Sequence, residues 1–211
     1  TTGVSNAAFG RTAMVLNTTG SFNTALGRDT LYANTTASNN TAVGFACLES
    51  NTTGTRNTAV GKSVLVANTT GVDNTAVGGI DAAAAATLGS NTTGTNNVAV
   101  GGGALHSNTT ASNNTAMGYR ALKVNTTGAE NTAVGKSTMI TNTTGSSNTA
   151  LGRQSMYWNT TGNSNTATGY NSLGANTTGT RNTAVGALSS DANTTGNYNS
   201  SFGYNSLGAN T

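Results

Sequence analysis

The side chains able to do chemistry in this chain are few and widely spread. Its 211 residues include one His, one Cys, six acids and nine Lys or Arg. The acids are Asp29, Glu49, Asp73, Asp81, Glu130 and Asp191, and no spacing among them pairs two carboxylates or gathers metal ligands. His106 stands alone and reads as a solvated surface residue. Cys47 is also alone, which excludes a disulfide framework and a cysteine metal cluster, and a small packed side chain is expected there. Gly101-Gly102-Gly103 lacks the Lys and the downstream context of a phosphate loop and reads as a turn. No nucleophile stands with a base. The sequence therefore carries no expectation of catalysis, metal or cofactor.

Two recurring patterns offer binding chemistry instead. Arg11, Arg28, Phe45, Lys62, Tyr119, Lys136, Arg153, Tyr170 and Tyr204 each follow a Gly at equivalent places, so basic and aromatic residues would alternate along one edge. Such an edge can stack on sugars or attract an acidic polysaccharide. The alternative is a solvated ridge that keeps the molecule soluble. The second pattern is N-T-T, from Asn17 to Asn193, each a glycosylation sequon in a host that uses them. In other settings those Asn would be bare.

What must position these residues is a repeat. Asn57 to Asp73 reads N-T-A-V-G-K-S-V-L-V-A-N-T-T-G-V-D, and Asn74 begins the same unit again. Its opening Asn recurs at 6, 23, 40, 57, 74, 97, 114, 131, 148, 165, 182 and 199, a period of 17 with one longer step. Position five is always Gly, as in Gly61 and Gly78, and position twelve is always Asn, as in Asn51, Asn68 and Asn210. Position three is Ala except at Ser201. A strict period of this length identifies a stacked repeat architecture. Thr1 and Thr211 both fall at position thirteen, so 1–211 reads as a single array, a window on a longer fibre.

Net charge is +3, without a basic run, so no nucleic-acid partner is expected. No apolar stretch approaches the roughly 18 residues of a membrane span. No 3.6-residue apolar stripe is visible. Each unit offers two short extended runs instead: N-T-A-V, stopped by Gly, and a second near Val64-Leu65-Val66, Ala104-Leu105, Ala121-Leu122 or Thr138-Met139-Ile140. N-T-T-G supplies a turn. The expected fold is all-β: a β-solenoid, or parallel β-roll, of about 12 coils, its coils about 4.8 Å apart.

Stacking places like on like. The columns that contain Asn57 and Asn74, and Asn51 and Asn68, become amide ladders. Alternation along a strand puts Ala on one face and Val on the other. The second face carries Val43, Val60, Val77, Val100, Val134 and Val185, with Thr168 an exception. One thin coil has no second interior to hide that column, so chains are expected to pack side by side through it. Residues 79–88 hold a six-residue insertion in the fifth copy, with five consecutive Ala. A single helical turn and a widened loop are both open for it. In the eleventh copy Leu188 marks either a register slip or a weak coil.

The unit resembles the repeat arrays of bacterial and phage tail-fibre-domain proteins, in both period and fixed residues over the whole chain. N-T-A-V-G is more loosely similar to the N-S-V-A-I-G motif of trimeric autotransporter adhesin heads, whose shorter units form left-handed parallel β-rolls. The resemblance implies a left-handed solenoid, three chains round an axis, and an extracellular, cell-surface or virion fibre that spaces or presents an adhesive tip. Expected partners are copies of the chain itself, as a homotrimer or filament. Surface carbohydrate is the alternative, through Arg11, Arg28, Lys62, Tyr119, Lys136, Arg153, Tyr170 and Tyr204. A second alternative is an ice-binding solenoid that uses the Thr column from Thr24 to Thr132. Thr58, however, shares a strand face with Val60, which is expected to be buried.

Overall fold

The structure, a computed structural model, describes residues 2–208, so Thr1, Ala209, Asn210 and Thr211 lie outside it. It is a β-solenoid with no helix among the described residues. Its strands are β1 (Ala7–Phe9), β2 (Thr24–Leu26), β3 (Thr41–Val43), β4 (Thr58–Gly61), β5 (Thr75–Gly78), β6 (Val98–Val100), β7 (Thr115–Met117), β8 (Thr132–Val134), β9 (Thr149–Leu151), β10 (Thr166–Thr168), β11 (Thr183–Val185) and β12 (Ser200–Phe202). They form one parallel sheet in chain order, each strand paired with the next. Pairing joins equivalent residues: Ala42 meets Ala59, and across the insertion Ala76 meets Ala99.

Each coil has one strand. The expected second extended run is absent, and Val64-Leu65-Val66, Ala104-Leu105, Ala121-Leu122 and Thr138-Met139-Ile140 lie in turns. The backbone explains why. Gly61 has φ +131°, and Ser63 and Leu65 follow at 57° and 52°. Leu105, Leu122 and Met139 are likewise left-handed, at 49°, 50° and 50°. This alternation bends the chain back before a strand can form. It also cancels the in-and-out rule, which holds only for extended backbone, so the neighbours Ala104 and Leu105 are both wholly buried.

Left-handed backbone normally costs a non-Gly residue about 1–2 kcal/mol. Here each such turn is tied to the adjoining coil. Ser63 N–H donates to Phe45 O at 2.8 Å, and Leu105 N–H to Ala121 O at 3.0 Å. Backbone pairing between coils thus continues well beyond the three-residue strand. Position five must be Gly because a Cβ on Gly61 would stand 1.9 Å from the carbonyl oxygen of Gly78.

The interior is a stack of small and branched side chains. Ala25 to Ala184 line the strand side, and Leu31, Leu48, Leu65, Leu88, Leu105, Leu122, Met139, Met156 and Leu173 fill the turn side, all buried. Position eight completes the packing, with Val64, Cys47 and Ala121 buried. The packed reading of Cys47 therefore holds, and burial pushes its thiol pKa up.

The eleventh copy keeps its register: Val185 pairs with Phe202. Leu188 sits half-exposed at a polar turn position with φ 60°, and Ser190 takes the interior place that Leu fills elsewhere. Ser190 and Ser189 bond the hydroxyl of Ser201 at 2.8 Å and 2.6 Å. A polar plug thus replaces apolar packing between the last two coils.

Candidate functional site

The two Asn columns are the internal scaffold of every surface feature. At position twelve they form a true amide ladder. Asn68 Nδ2 donates to Asn51 Oδ1 at 2.9 Å, Asn91 Nδ2 to Asn68 Oδ1 at 2.9 Å, and Asn108 Nδ2 to Asn91 Oδ1 at 2.9 Å. The other Nδ2 hydrogen closes the turn: Asn68 donates to Gly71 O at 3.0 Å. Asn193 Oδ1 ends the described ladder without a partner, and its successor Asn210 lies outside the described residues.

The opening column differs from the expected amide-to-amide ladder. There the main acceptor bond comes from backbone: Asn74 N–H donates to Asn57 Oδ1 at 3.0 Å, while Asn57 Nδ2 reaches Gly71 O at 2.8 Å. Amide–amide contact is added in only some coils, as from Asn74 Nδ2 to Asn57 Oδ1 at 3.1 Å. These assignments decide the sequon question. The N-T-T asparagines from Asn34 to Asn193 are buried, with Nδ2 engaged twice, so a glycan there is incompatible with the folded coil.

The outward sheet face carries two columns. Position two is Thr in most coils, and position four is apolar except at Thr168. Val43, Val60, Val100, Val134 and Val185 are half-exposed, while Val77, Met117 and Leu151 are 37%, 44% and 39% exposed. Thr58 stands beside Val60 on this face, as its alternation requires, with Ala59 fully buried between them. No aromatic side chain of the described residues is buried, so all of them serve surfaces and none the core.

Two rims flank the face. On one side Arg11, Arg28, Lys62, Tyr119, Lys136, Arg153, Tyr170 and Tyr204 are all exposed in a coil-to-coil column. Several of the cations already lie against rings of this column. Arg28 and Lys62 lie 5.4 Å and 6.0 Å from the ring centre of Phe45, and Lys136 lies 6.0 Å from Tyr119. Arg153 lies 5.7 Å from Tyr170. The column is broken at the insertion, where Gly79 and Gly102 stand in its place. On the other side Arg56 pairs with Asp73 at 2.6 Å, which holds the Asp73 carboxyl below its usual pKa. Farther along, Arg181 lies 5.3 Å from the Tyr198 ring. Asp29 is held low by its bond from Thr12 and by Arg28.

The insertion is a loop and not a helical turn. Ile80 and Ala86 form an antiparallel bridge, with Ala82, Ala83 and Ala84 exposed at the tip. Asp81 organises it. Its side chain is fully buried, with Oδ1 accepting from the N–H groups of Ala83 (2.8 Å) and Ala85 (2.9 Å). Oδ2 accepts from Arg120 Nε at 2.6 Å and lies 3.3 Å from Lys123 Nζ. Burial raises its pKa. The bonds from Ala85, Arg120, Ala83 and Lys123 outweigh that and hold it well below the carboxylate range. Arg120 is correspondingly raised by Asp81.

Three sequence readings change here. His106 is half-buried, and its Nδ1 lies 3.0 Å from Ala86 O, so it anchors the loop and is not merely solvated. Gly101-Gly102-Gly103 is more than a turn: Asp81 rests on it, 3.0 Å from where a Gly103 Cβ would stand. Thr87 Oγ1 donates to Gly101 O at 2.8 Å and completes the seat. Finally, Asp81 is bonded to Arg120, 39 residues away, a separation that no spacing rule on this period connects.

The sequence missed Asp81, Arg120, Lys123 and His106 as a group because its reading followed one column at a time, whereas Asp81 lies in the insertion, Arg120 at position seven, and His106 and Lys123 at position ten. The available signal was coincidence: the only insertion, the only Gly triplet and the only His occupy adjoining coils. No helix among the described residues is long and apolar enough to cross a membrane. Compared with known protein families, with curated proteins and with solved structures, the chain matches none.

Proposed function

We propose that this chain is a rod segment of an extracellular structural fibre or stalk, and that rods pack side by side through the Thr–Val face. The observation that carries this reading is the exposed position-four column, an apolar stripe broken at Thr168 that follows the sheet between two rims of charged and aromatic residues. An apolar centre bounded by a polar rim, with Arg and Tyr prominent, is the anatomy of a protein–protein contact. Twelve strands spaced about 4.8 Å, with the two flanking rims included, give a face roughly 50 Å by 15 Å. That is about 800 Å² per chain, the size of a standard stable interface. A second copy is the natural occupant, since a periodic face matches its own repeat. Three chains round an axis is the arrangement the tail-fibre resemblance favours.

The carbohydrate reading is weaker, because rim aromatics such as Phe45 and Tyr119 already hold cations against their rings. The ice-binding reading gains an exposed Thr column but lacks a uniform lattice. Position four changes from Val to Met117, Leu151, Thr168 and Phe202 along the same face.

Sedimentation or light scattering of the folded chain tests the proposal. A multiple of 20.8 kDa is expected at micromolar concentration. It should fall to a monomer when Val60, Val100 and Val134 are changed to Lys, with the circular dichroism unaltered. A wild-type chain that stays monomeric at high micromolar concentration refutes it.

A further inference from the structure

A perfectly periodic rod has no defined place to stop when it slides along its neighbour. Moving one copy by one coil, about 4.8 Å, sets Thr on Thr and Val on Val again and gives up only one coil of contact. Register is weakly specified in any such surface. The one break in the 17-residue period among the described residues is the Gly79–Leu88 loop. It leaves the sheet directly from the end of β5, so it stands on the rim beside the Thr–Val face, where the column of basic and aromatic side chains is interrupted.

The loop is also built to be stiff. Asp81 caps two of its N–H groups and ties it to Arg120 and Lys123, one coil beyond the Gly triplet on which it rests. Thr87 Oγ1 fixes its far end to Gly101 O, and His106 fixes Ala86 O. Its tip is apolar and exposed, with Ile80 42% exposed and Ala82, Ala83 and Ala84 beside it. A stiff, uncharged projection at the border of an apolar face is poor material for a solvated bulge and good material for a contact.

We propose that this loop is the register stop between copies of the chain: its tip bears on the neighbouring copy and permits one axial alignment out of the many the repeat would accept. The proposal rests on the side-by-side reading above. The clamp of Asp81, Arg120, Lys123 and His106 then acts by holding the tip in place, and the four are positioning residues.

Disulfide trapping tests it. In a Cys47→Ala background, chains with Val134→Cys and chains with Leu151→Cys are mixed and oxidised. A link between two chains of the same variant reports the aligned state. A link between one chain of each variant reports a slip of one coil. With the loop intact, same-variant links should exceed mixed ones by tenfold or more. Deleting residues 80–85 restores a 17-residue copy and should bring the two yields within about twofold, with mass and circular dichroism retained. An unchanged ratio after the deletion overturns the register stop while leaving side-by-side packing intact. A monomeric mass with no link of either kind overturns both. Asp81→Asn, which loosens the loop without removing it, should give an intermediate ratio.

Discussion

Replacing Asn108 by Ala should open one joint in the rod, and the size of the effect follows from its bonds. Asn108 Nδ2 donates to Asn91 Oδ1 at 2.9 Å and to Ala111 O at 2.9 Å, and its Oδ1 accepts from Asn125 Nδ2 at 3.0 Å. Ala111 O keeps its second donor, Asn97 Nδ2 at 2.9 Å. Two buried groups are therefore orphaned, Asn91 Oδ1 and one hydrogen of Asn125 Nδ2. At roughly 1–3 kcal/mol for each unsatisfied buried group, the loss is about 2–6 kcal/mol. Asn114→Ala is the matched control. It orphans only the Asn131 backbone N–H, since Gly128 O keeps Asn125 Nδ2, and should cost about 1–3 kcal/mol. In a linear array the damage stays near its origin. Native-state hydrogen exchange should show protection lost by about thirtyfold to ten-thousandfold in the Asn91–Asn125 coils, at about 1.4 kcal/mol per tenfold. Remote coils should change little. Equal effects from the two substitutions, or a uniform loss along the whole rod, would refute the ladder reasoning.

Three further outcomes follow from the structure. Gly61→Ala, which sets a Cβ 1.9 Å from Gly78 O at a φ of +131°, should cost about 3 kcal/mol or more. Gly79→Ala, whose Cβ finds nothing nearer than 3.6 Å, should stay within about 1 kcal/mol, both read from thermal melts. Asp81 has a folded pKa below its ordinary value of 3.8. Its contribution is therefore complete above that value and is lost as the pH falls below it. Amide exchange at Ala83 and Ala85 should quicken in that acid range, and Asp81→Asn should abolish the pH dependence. Buried Cys47, with its thiol pKa raised by burial, should react with a thiol reagent only when its coil opens. Its labelling rate should then rise with denaturant in step with the local loss of structure, and immediate labelling of the native chain would contradict the packing.

The architecture was legible because the period was strict. Asn, Gly and Ala recur at fixed places, and only stacked coils make that recurrence useful. The alternation in Thr58-Ala59-Val60 also read correctly, since it is extended backbone. The turn side was misread for a physical reason. Val64-Leu65-Val66 has the composition of a strand, yet its shape is set by Gly61 and by left-handed backbone at Ser63 and Leu65. Propensity could not reveal that, because pairing between coils overrides it. The Asp81 clamp was invisible for another reason: it depends on contacts across coils, which no single unit encodes.

The direction of the backbone pairing carries a mechanical consequence. The bonds between coils lie along the long dimension of the rod, so a pull on its two ends loads them in series and the weakest joint yields first. Each coil that peels away releases 17 residues, or about 55 Å of slack at roughly 3.3 Å per residue. The Ser189–Ser190–Ser201 plug replaces apolar packing at the last joint, which is therefore expected to yield early. Under tension such a segment would lengthen stepwise from that end and hold its load at a nearly constant force, a shock absorber made of identical links.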